Sequence, residues 1–404
     1  MLKKRILILN DGSKYENWGI KACIDGLKKI LNSNELGFEL IGLEHEFMHK
    51  KYLFDPKLLG RRIFLEDNRI VKKFFKPFHE LPKVADEFEY IADLWMSGSG
   101  GRGADKFLEL AQTADLIVFN AEGSTYRNNI GAIKGLFMLW LAKTRLNKKT
   151  AFMNGSVTLT LVDSVLPAMI QKVFSVIDLV HVREEFSKRS IVEFYPDLEN
   201  RVNVFPDSAF VLDLLSKEDP RAVFLPDKYF VFSLSMLPMD YSRSKDKSAL
   251  VEIILELKKL VPNAVLIAKD TEDQILKEVA QLTNSVFIGS NFTYRAIARV
   301  LEKADFIFSG RYHHSIFGAM VGCPVIPMAS SSHKIHGLAE LFDGIMLSPP
   351  IDPTNLRIEK KRIIEAAKKY IKGGEKLRNK FKQRSTALRD DAMSQVKAVA
   401  NLLS

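Results

Sequence analysis

The 404-residue sequence predicts an α/β fold built on two parallel sheets, each covered by helices on both faces. Short apolar strands alternate with helices up to about residue 215. Residues 216–228 then carry two prolines and several charges, as a linker does, and the alternation restarts at residue 229. We therefore predict an N-terminal domain over 1–215, a C-terminal domain over 225–350 and a basic helical segment over 351–404.

In the N-terminal half, short apolar runs bounded by polar turns predict strands, and longer segments with a helical apolar period predict helices. Residues 44 to about 103 fit neither pattern and are interpreted as an insertion with short helices. The predicted strands are 5–9, 38–43, 116–120, 150–153, 179–182 and 202–205, and the predicted helices lie at 20–31, 130–144, 167–174 and from 185.

The C-terminal half repeats this pattern. From about residue 355 the chain is helical and strongly basic, and the adjacent glycines Gly373 and Gly374 are expected to divide this segment into two helices. The predicted strands of this half are 229–235, 264–270, 286–289 and 306–310, and the predicted helices are 249–260, 272–282 and 294–303.

Composition narrows the class of protein. No apolar run approaches the ~20 residues that a membrane helix needs, and the apolar segment near the N-terminus is too short for a signal peptide, so we expect a cytoplasmic enzyme. Cys23 and Cys323 lie in different halves, without the spacing of a disulfide framework or a zinc site. Both are expected to be core residues.

The net charge of +10 comes from Lys and Arg spread along the chain. Nucleic-acid binding needs a clustered basic face with aromatic stacking platforms, which the sequence does not contain, so no nucleic-acid partner is expected. Anionic substrates or an anionic membrane surface suit the charge better. The basic segment 357–382 suits peripheral contact with the inner face of the plasma membrane, although a solvated helical face is the simpler interpretation.

The most informative stretch is 304–334. An apolar strand leads into Arg311, His313 and His314, then a helix of small residues, a second apolar strand and Lys334. Ligands of open parallel sheets bind beyond the carboxyl ends of the strands, so these basic groups are expected to hold an anion. Arg suits carboxylate or phosphate, Lys provides a point charge, and His changes protonation near neutral pH. If the strand continued through the motif, Arg311 and His313 would share a face.

Two apparent motifs are rejected. Residues 98–103 satisfy the G-x-G-x-x-G pattern, but the segment before them is typical of a helix rather than a buried strand, so a flexible loop is predicted instead of a dinucleotide site. His333 and His336 have the spacing of a metal pair. Lys334 would repel a cation there and no carboxylate is near in sequence, so no metal site is predicted.

The turn after the first strand is a candidate binding site. Asn10 and Asp11 follow this strand, and Asn17 precedes the first helix, where backbone amides can meet an anion or a sugar hydroxyl. An ordinary turn with an Asn cap is an equal alternative.

Polar residues after three further strands extend the candidate site. Gly123 permits close backbone approach beside Glu122, which could take a proton from a hydroxyl, or Glu122 and Ser124 could cap the next turn. Arg183 ends the strand at 179–182 and is favoured as an anion-binding group, although it could instead pair with a neighbouring carboxylate. The carboxylates available to it are Glu184, Glu185 and Asp207.

Several segments, in order along the chain, resemble the polysaccharide pyruvyl transferases. The last segment is the most specific, because it joins Arg-x-His, a small-residue helix, a Pro-Val-Ile strand and a downstream Lys. In the first segment Asn17-Trp18-Gly19-Ile20 departs from the usual Gly-Asn-x-Gly-Asp pattern, and Ala121 in the second occupies a position that is often Gly. The segments are NDG…NWGIKA, LIVFNAEGST, HVREEFSKRS, FPDSAFVL and SGRYHHSIFGAMVGCPVIPM…HKIHGL.

The resemblance implies two Rossmann-like domains facing across a cleft, as in GT-B glycosyltransferases. It also implies transfer of a pyruvyl group from phosphoenolpyruvate (PEP) to a sugar of a cell-surface polysaccharide or of its lipid-linked precursor. Arg183, Arg311 and His313 match the PEP-binding and catalytic positions, and Lys334 matches the downstream basic position. Glu122 or Asp207 would deprotonate the acceptor hydroxyls. No cofactor and no metal are required, since PEP is itself the donor substrate.

Two alternatives remain open from the sequence. A glycosyltransferase with a nucleotide-sugar donor could use the same architecture, because fold does not decide function. It would need a carboxylate near the C-terminal cleft to hold a ribose, and Glu340 is a weak candidate. A non-catalytic binding relative would leave cell-surface polymer unchanged after Arg311→Ala.

Overall fold

Two parallel β-sheets organise the structure, a computed structural model. It describes residues 3–15, 17–33, 37–44, 47–48, 80–123, 125–126, 129–161, 163, 165–216, 224–235, 247–269 and 275–404. The six-stranded sheet has the order β2-β1-β3-β5-β7-β8, and the five-stranded sheet has the order β11-β10-β9-β12-β13. Every strand pair in both sheets is parallel.

The strands are short and mostly buried, as expected for sheets covered on both faces. The first sheet comprises β1 (Arg5–Asp11), β2 (Glu39–Glu44), β3 (Leu116–Asn120), β5 (Lys149–Gly155), β7 (Leu179–Val182) and β8 (Val202–Val204). The second comprises β9 (Tyr229–Ser233), β10 (Asn263–Ile267), β11 (Val286–Ile288), β12 (Ile307–Ser309) and β13 (Val325–Pro327), and a small separate pair is formed by β4 (Thr125–Tyr126) and β6 (Val157–Thr158).

Helices connect successive strands, which is why the sheets are parallel. Those of the N-terminal half are α1 (Trp18–Asn32), α2 (Phe88–Met96), α3 (Arg102–Thr113), α4 (Ile130–Thr144), α5 (Leu166–Phe174) and α6 (Glu185–Phe194). Those that follow are α7 (Ser248–Lys258), α8 (Ile275–Leu282), α9 (Tyr294–Lys303), α10 (Tyr312–Val321), α11 (Lys334–Leu341), α12 (Leu356–Ser394) and α13 (Val396–Leu403). Three short 3₁₀ helices lie at Ala85–Glu87, Pro196–Leu198 and Ser208–Val211.

The predicted fold class is confirmed, with one local difference. The strand at 306–310 ends at Ser309, and α10 begins at Tyr312. At Gly374 the backbone leaves helical geometry, with φ +48° and ψ −141°, so the span Leu356–Ser394 consists of two helices joined at a kink, as predicted. Most of the predicted linker and most of the predicted insertion, with the start of the helix predicted at 272–282, lie outside the described residues. The end of the insertion forms α2, as predicted for the segment before the glycine-rich loop.

The C-terminal segment does not pack on the second sheet alone. In α12, Ile363, Ala367 and Tyr370 join the core of the five-stranded sheet. In α13, Val399 and Leu403 pack instead with apolar residues of the six-stranded sheet. The last helices therefore tie the two halves together. In the part of the chain that the structure covers, no helix combines the length and the apolar character needed to cross a bilayer.

Candidate active site

A polar cleft with an empty volume of about 350 Å³, part of it open to solvent, lies where loops from both sheets meet. Each contributing loop leaves the carboxyl end of a strand, where ligands of parallel sheets bind. Glu122 comes from the loop after β3, Lys269 from the loop after β10, and Ser330 and Lys334 from the chain after β13. The remaining lining residues are Gly310, Arg311, Tyr312, His313 and His314, at the junction of β12 and α10.

The β12–α10 junction places three predicted site residues in the cleft. Arg311 is the residue before the first helical position, with φ −94° and ψ 118°, and its backbone N–H donates to Ser309 Oγ at 3.0 Å. Gly310 has no room for a side chain, because a Cβ would lie 2.5 Å from the Cα of Ser235. The strand does not continue through the motif, so alternation along a strand is the wrong reason for Arg311 and His313 to lie together. A helix start brings them to the cleft instead.

Arg183 and Asp207 form a buried ion pair behind the cleft. Arg183 Nη1 lies 2.6 Å from Asp207 Oδ2, Arg183 Nε donates to Ser156 Oγ at 2.8 Å, and both charged side chains are fully buried. The guanidinium lies over the ring of Tyr312, 4.5 Å from its centroid. Direct donor binding by Arg183 and direct substrate binding by Asp207 are therefore not supported. The pairing alternative for Arg183 is the one observed.

His313 is held between the two halves of the chain. Its Nε2 lies 2.9 Å from Cys23 Sγ and 3.8 Å from Asp207 Oδ2. On the other side of the ring, a Cβ at Gly19 would lie 2.6 Å from Nδ1, so only glycine leaves space for the imidazole. Residues of α1 and of the loop after β8 therefore fix the orientation of a side chain carried by α10. This placement is absent from any sequence pattern because almost 300 residues separate Cys23 from His313.

Acidic groups at the site remain charged. Burial acts to raise the pKa of Asp207, but Arg183 and His313 outweigh burial and hold that pKa well below its usual range. Burial also acts to raise the pKa of Glu122, and the surrounding basic groups lower it overall. Those groups are His313, Arg183, Lys269 and Lys334. Glu122 is thus a carboxylate facing a basic cleft.

Basic groups at the cleft repel one another. Burial, together with the charges of Lys269, Arg183 and Arg311, lowers the pKa of Lys334 to about 8. His314 is fully buried and stacks on Trp18, with ring centroids 4.5 Å apart and planes 6° from parallel. Burial and nearby positive charge put the pKa of His314 well below its ordinary value. His314 thus lies at the cleft wall as a ring whose neutral form is favoured, and its role in substrate binding stays a prediction.

The other predicted binding residues bond within the protein. Asn10, with φ +67°, donates to the carbonyl of Asn120 at 2.8 Å. Asp11 accepts from Lys28 at 2.8 Å, and Asn17 accepts from the N–H of Gly19 as the cap of α1. None of the three lines the cleft, so the capped-turn alternative describes them.

Gly123 lies next to Glu122 with φ +76°, and a Cβ there would meet nothing within 4 Å. Ser124 lies outside the described residues.

Four cleft residues were not predicted: Gly310 and Tyr312 flank the predicted Arg311, whereas Lys269 and Ser330 lie apart from it. Lys269 follows β10 in the same way that Arg311 follows β12, so the rule that located Arg311 also applies to it. Lys269 is followed by Asp270, Thr271, Glu272 and Asp273, so its charge lies in a mixed polar loop and not in a basic cluster like the one around Arg311. Ser330 lies within the informative stretch 304–334, but as an uncharged serine it was not singled out there; its buried Oγ has no hydrogen-bond partner in the described parts of the chain.

One group of side chains has the chemistry of metal ligands. The ligand atoms of Cys23, Glu122 and His313 all lie within 4.8 Å of one another. Burial, followed by the charges of Asp207 and Glu122, raises the pKa of the Cys23 thiol well above its usual value, so the thiolate that a metal requires is disfavoured. Arginine and lysine side chains surround the group. The donor set therefore does not suit a cation.

His333 and His336 do not form a metal pair either. His333 lies 3.0 Å from Thr158 Oγ1 and 3.3 Å from Glu184 Oε1, so it joins the second half of the chain to the first. Glu184, which is distant from His333 in sequence, is thus a carboxylate close to it in space. Glu340, the weak candidate for a ribose ligand, binds Arg189 at 2.9 Å on the surface and is not among the cleft residues.

Comparison with known proteins agrees with this architecture. A family model described as polysaccharide pyruvyl transferase matches residues 22–332. None of the curated proteins matches the sequence.

Solved structures with the same two-sheet fold include enzymes that act on nucleotide-sugars. A candidate UDP-N-acetylglucosamine 2-epimerase of Listeria monocytogenes is similar at 12% identity, with a TM-score of 0.60 over 99% of this chain and 96% of that one. The UDP-GlcNAc 2-epimerase of Methanocaldococcus jannaschii is 13% identical, with a TM-score of 0.56 and coverage of 96% and 99%. UGT2 of Phytolacca americana, solved with UDP-2fluoro-glucose and pterostilbene, is 13% identical, with a TM-score of 0.53 and coverage of 100% and 99%. At these identities the likeness establishes the fold alone, a GT-B-type arrangement.

Proposed function

Because the chain belongs to the polysaccharide pyruvyl transferase family, we propose that it transfers a pyruvyl group from PEP to a sugar of a surface polysaccharide or its lipid-linked precursor, forming a ketal. One observation supports this proposal most directly. Arg311, Lys269 and Lys334 converge on a cleft that also contains a histidine and a carboxylate. Such a cleft offers charge for a small polyanion together with groups that can move protons.

Donor binding follows from the three cleft cations. PEP carries a carboxylate and a phosphate on adjacent atoms of one small molecule. The guanidinium of Arg311 suits bidentate contact with either group, while Lys269 and Lys334 offer point charges. Binding an anion also relieves the mutual repulsion of these cations, which contributes to affinity. Arg183 does not contact the donor; it pairs with Asp207 and so keeps that carboxylate beside His313.

Proton transfer assigns His313 and Glu122 different roles. His313 delivers a proton to the methylene carbon of PEP, which makes C2 electrophilic. A sugar hydroxyl attacks C2 and forms the first C–O bond while Glu122 accepts the hydroxyl proton. Phosphate then departs with its bonding electron pair, and a second hydroxyl closes the ketal at C2. The two acceptor hydroxyls release two protons. One restores the proton that His313 gave to the methylene carbon, and the other leaves with phosphate.

Phosphate release tests the activity. Purified protein incubated with PEP and candidate glycosides should release inorganic phosphate only when an acceptor with two suitably placed hydroxyls is present. Arg311→Ala and His313→Gln should abolish release, whereas Arg189→Ala, which removes an exposed ion pair outside the cleft, should not. Release that persists in Arg311→Ala would contradict the proposed donor site.

Ligand-induced stabilisation separates this proposal from a nucleotide-sugar transferase. A ligand raises the melting temperature only if it binds the folded protein. PEP should raise it, while UDP and CMP should not. The reverse result would favour the glycosyltransferase alternative, which the fold alone permits, although Glu340 is already paired with Arg189 and is not available for a ribose.

A further inference from the structure

The first half of α12 carries a surface that the proposed reaction does not use. Its inner side is buried against the five-stranded sheet, while Lys361, Lys368, Lys369 and Lys372 are all exposed. At about 100° per residue, these four lysines fall within an arc of about 100° on the outer side of the helix. We refer to this surface as the lysine face.

The lysine face is not neutralised. Other basic residues of α12 have carboxylate partners. Arg357 Nε lies 3.2 Å from a carboxylate oxygen of Glu252, and Lys360 Nζ lies 3.0 Å from the other oxygen of the same side chain. None of the four lysines forms an ion pair with any residue in the described ranges. Glu365 is the one acidic residue within the same arc.

An apolar side chain lies within the same surface. Ile358 falls inside the arc and is 82% exposed, and Ile371 at its flank is 38% exposed. A helix face that only needs to be soluble gains nothing from an exposed isoleucine. Lysines with long apolar stems beside exposed apolar residues are typical of helices that lie in the interface of a membrane.

The lysine face begins at the edge of the sheet that carries the cleft. Arg357, at the start of α12, donates to the hydroxyl of Ser248, the first residue of α7. Because α7 follows β9, its start lies at the carboxyl ends of the strands, as the cleft does. Tyr370 donates to the carbonyl of Val325 at the opposite end of β13. The face therefore extends along the flank of the sheet from the cleft edge.

We propose that the lysine face docks this protein on an anionic lipid bilayer. Four unpaired positive charges with an exposed apolar residue at the N-terminal end of the same face complement a negatively charged surface that accepts apolar side chains. A soluble acidic partner would satisfy the charges but would leave no reason for the exposed isoleucine beside them. The proposal does not depend on the chemistry in the cleft.

Vesicle flotation tests the proposal with the full-length protein. We expect binding to vesicles of phosphatidylcholine mixed with phosphatidylglycerol, no binding to phosphatidylcholine alone, and loss of binding in high salt. Reversing three charges with Lys361→Glu, Lys368→Glu and Lys372→Glu should weaken binding roughly 100-fold. The matched control reverses three exposed lysines of the N-terminal half: Lys21→Glu, Lys83→Glu and Lys149→Glu should retain binding.

The apolar contribution is tested separately. Ile358→Ser preserves every charge and should still weaken binding several-fold, a change that a purely electrostatic contact would not produce. Melting temperatures of all variants should match that of the wild type, since the substituted side chains are exposed. Failure of the wild type to bind anionic vesicles, or equal loss of binding in the control triple variant, would overturn the proposal.

Discussion

Arg183 and Asp207 bring opposite charges to positions with no exposure to solvent. Removing one member leaves the other charged and unpaired, which typically costs about 3–5 kcal/mol of unfolding free energy. We expect Asp207→Asn to lose that amount in denaturant titrations and to lose activity, since His313 also loses its carboxylate neighbour. The double variant Arg183→Met/Asp207→Leu should recover much of the stability but none of the activity. Near-wild-type stability of Asp207→Asn would contradict the ion pair.

The same ion pair makes the unfolding free energy depend on pH. The folded-state pKa of Asp207 lies well below the value that an unfolded chain gives it, because Arg183 and His313 outweigh the effect of burial. Its contribution to stability is therefore complete above the unfolded pKa of about 4 and is lost as the pH falls toward the folded value. Unfolding free energy measured from pH 6 downward should decline below about pH 4, and Asp207→Asn should remove that part of the decline.

The lowered pKa of Lys334 predicts that PEP binding weakens at high pH, whereas the Asp207 pair weakens stability at low pH. The pKa of Lys334 is lowered to about 8 by burial and by the neighbouring cations, so this residue loses its charge as the pH rises through about 8. We expect the Kd for PEP, measured by calorimetry, to rise by up to about tenfold per pH unit above that value. Lys334→Arg keeps a positive charge over this range and should flatten the profile. An unchanged wild-type Kd between pH 7 and 9.5 would exclude Lys334 from the donor site.

Helix α1 places Gly19 and Cys23 around His313 and stacks Trp18 on His314. Its cap, Asn17, accepts from two backbone N–H groups at the start of the helix. Asn17→Ala should lower the unfolding free energy by about 1 kcal/mol, whereas Asn17→Ser should preserve the cap. If capping is its whole role, neither variant should change the KM for a glycoside acceptor. A large rise in KM in both variants would restore Asn17 as a ligand.

At the level of elements, sequence periodicity was sufficient for the sheets but not for the junctions. Buried strands such as Leu116–Asn120 are predicted within a residue because both faces are covered and the apolar run has sharp polar limits. The junction at Arg311 was not predicted, because a strand extension and a helix start share the same local composition. Close approach of Gly310 to Ser235, a contact between distant loops, decides between them.

At the level of the whole molecule, position at a strand end predicted which loops reach the cleft, but not which side chains face it. Arg183 and Arg311 both follow strands in the sequence, yet only Arg311 lines the cleft. The difference is Asp207, whose buried carboxylate draws the guanidinium of Arg183 inward. The sequence offers Asp207 as one of three possible partners of Arg183, but the choice between pairing and ligand binding depends on three-dimensional proximity, which a single sequence does not contain.

Gly337 in α11 lies where the two halves of the chain pack closely against each other. A Cβ at this position would lie 2.4 Å from Cγ of the buried Glu184 in the other half. Overpacking of this kind costs about 1–3 kcal/mol. The strain is relieved if α11 moves away from Glu184 and carries Lys334 out of the cleft. We expect Gly337→Ala to weaken PEP binding by roughly tenfold, which corresponds to about 1.4 kcal/mol.

Small-angle scattering of the same variant should give a larger radius of gyration than the wild type. The control is Glu340→Ala, on the same helix, which removes an exposed ion pair between the halves worth less than about 1 kcal/mol. It should leave both the radius and the Kd unchanged, because an exposed pair holds the halves far less firmly than close packing does. Wild-type values for Gly337→Ala in both measurements would mean that α11 accommodates the methyl group locally. The packing of α11 against Glu184 would then not set the position of Lys334.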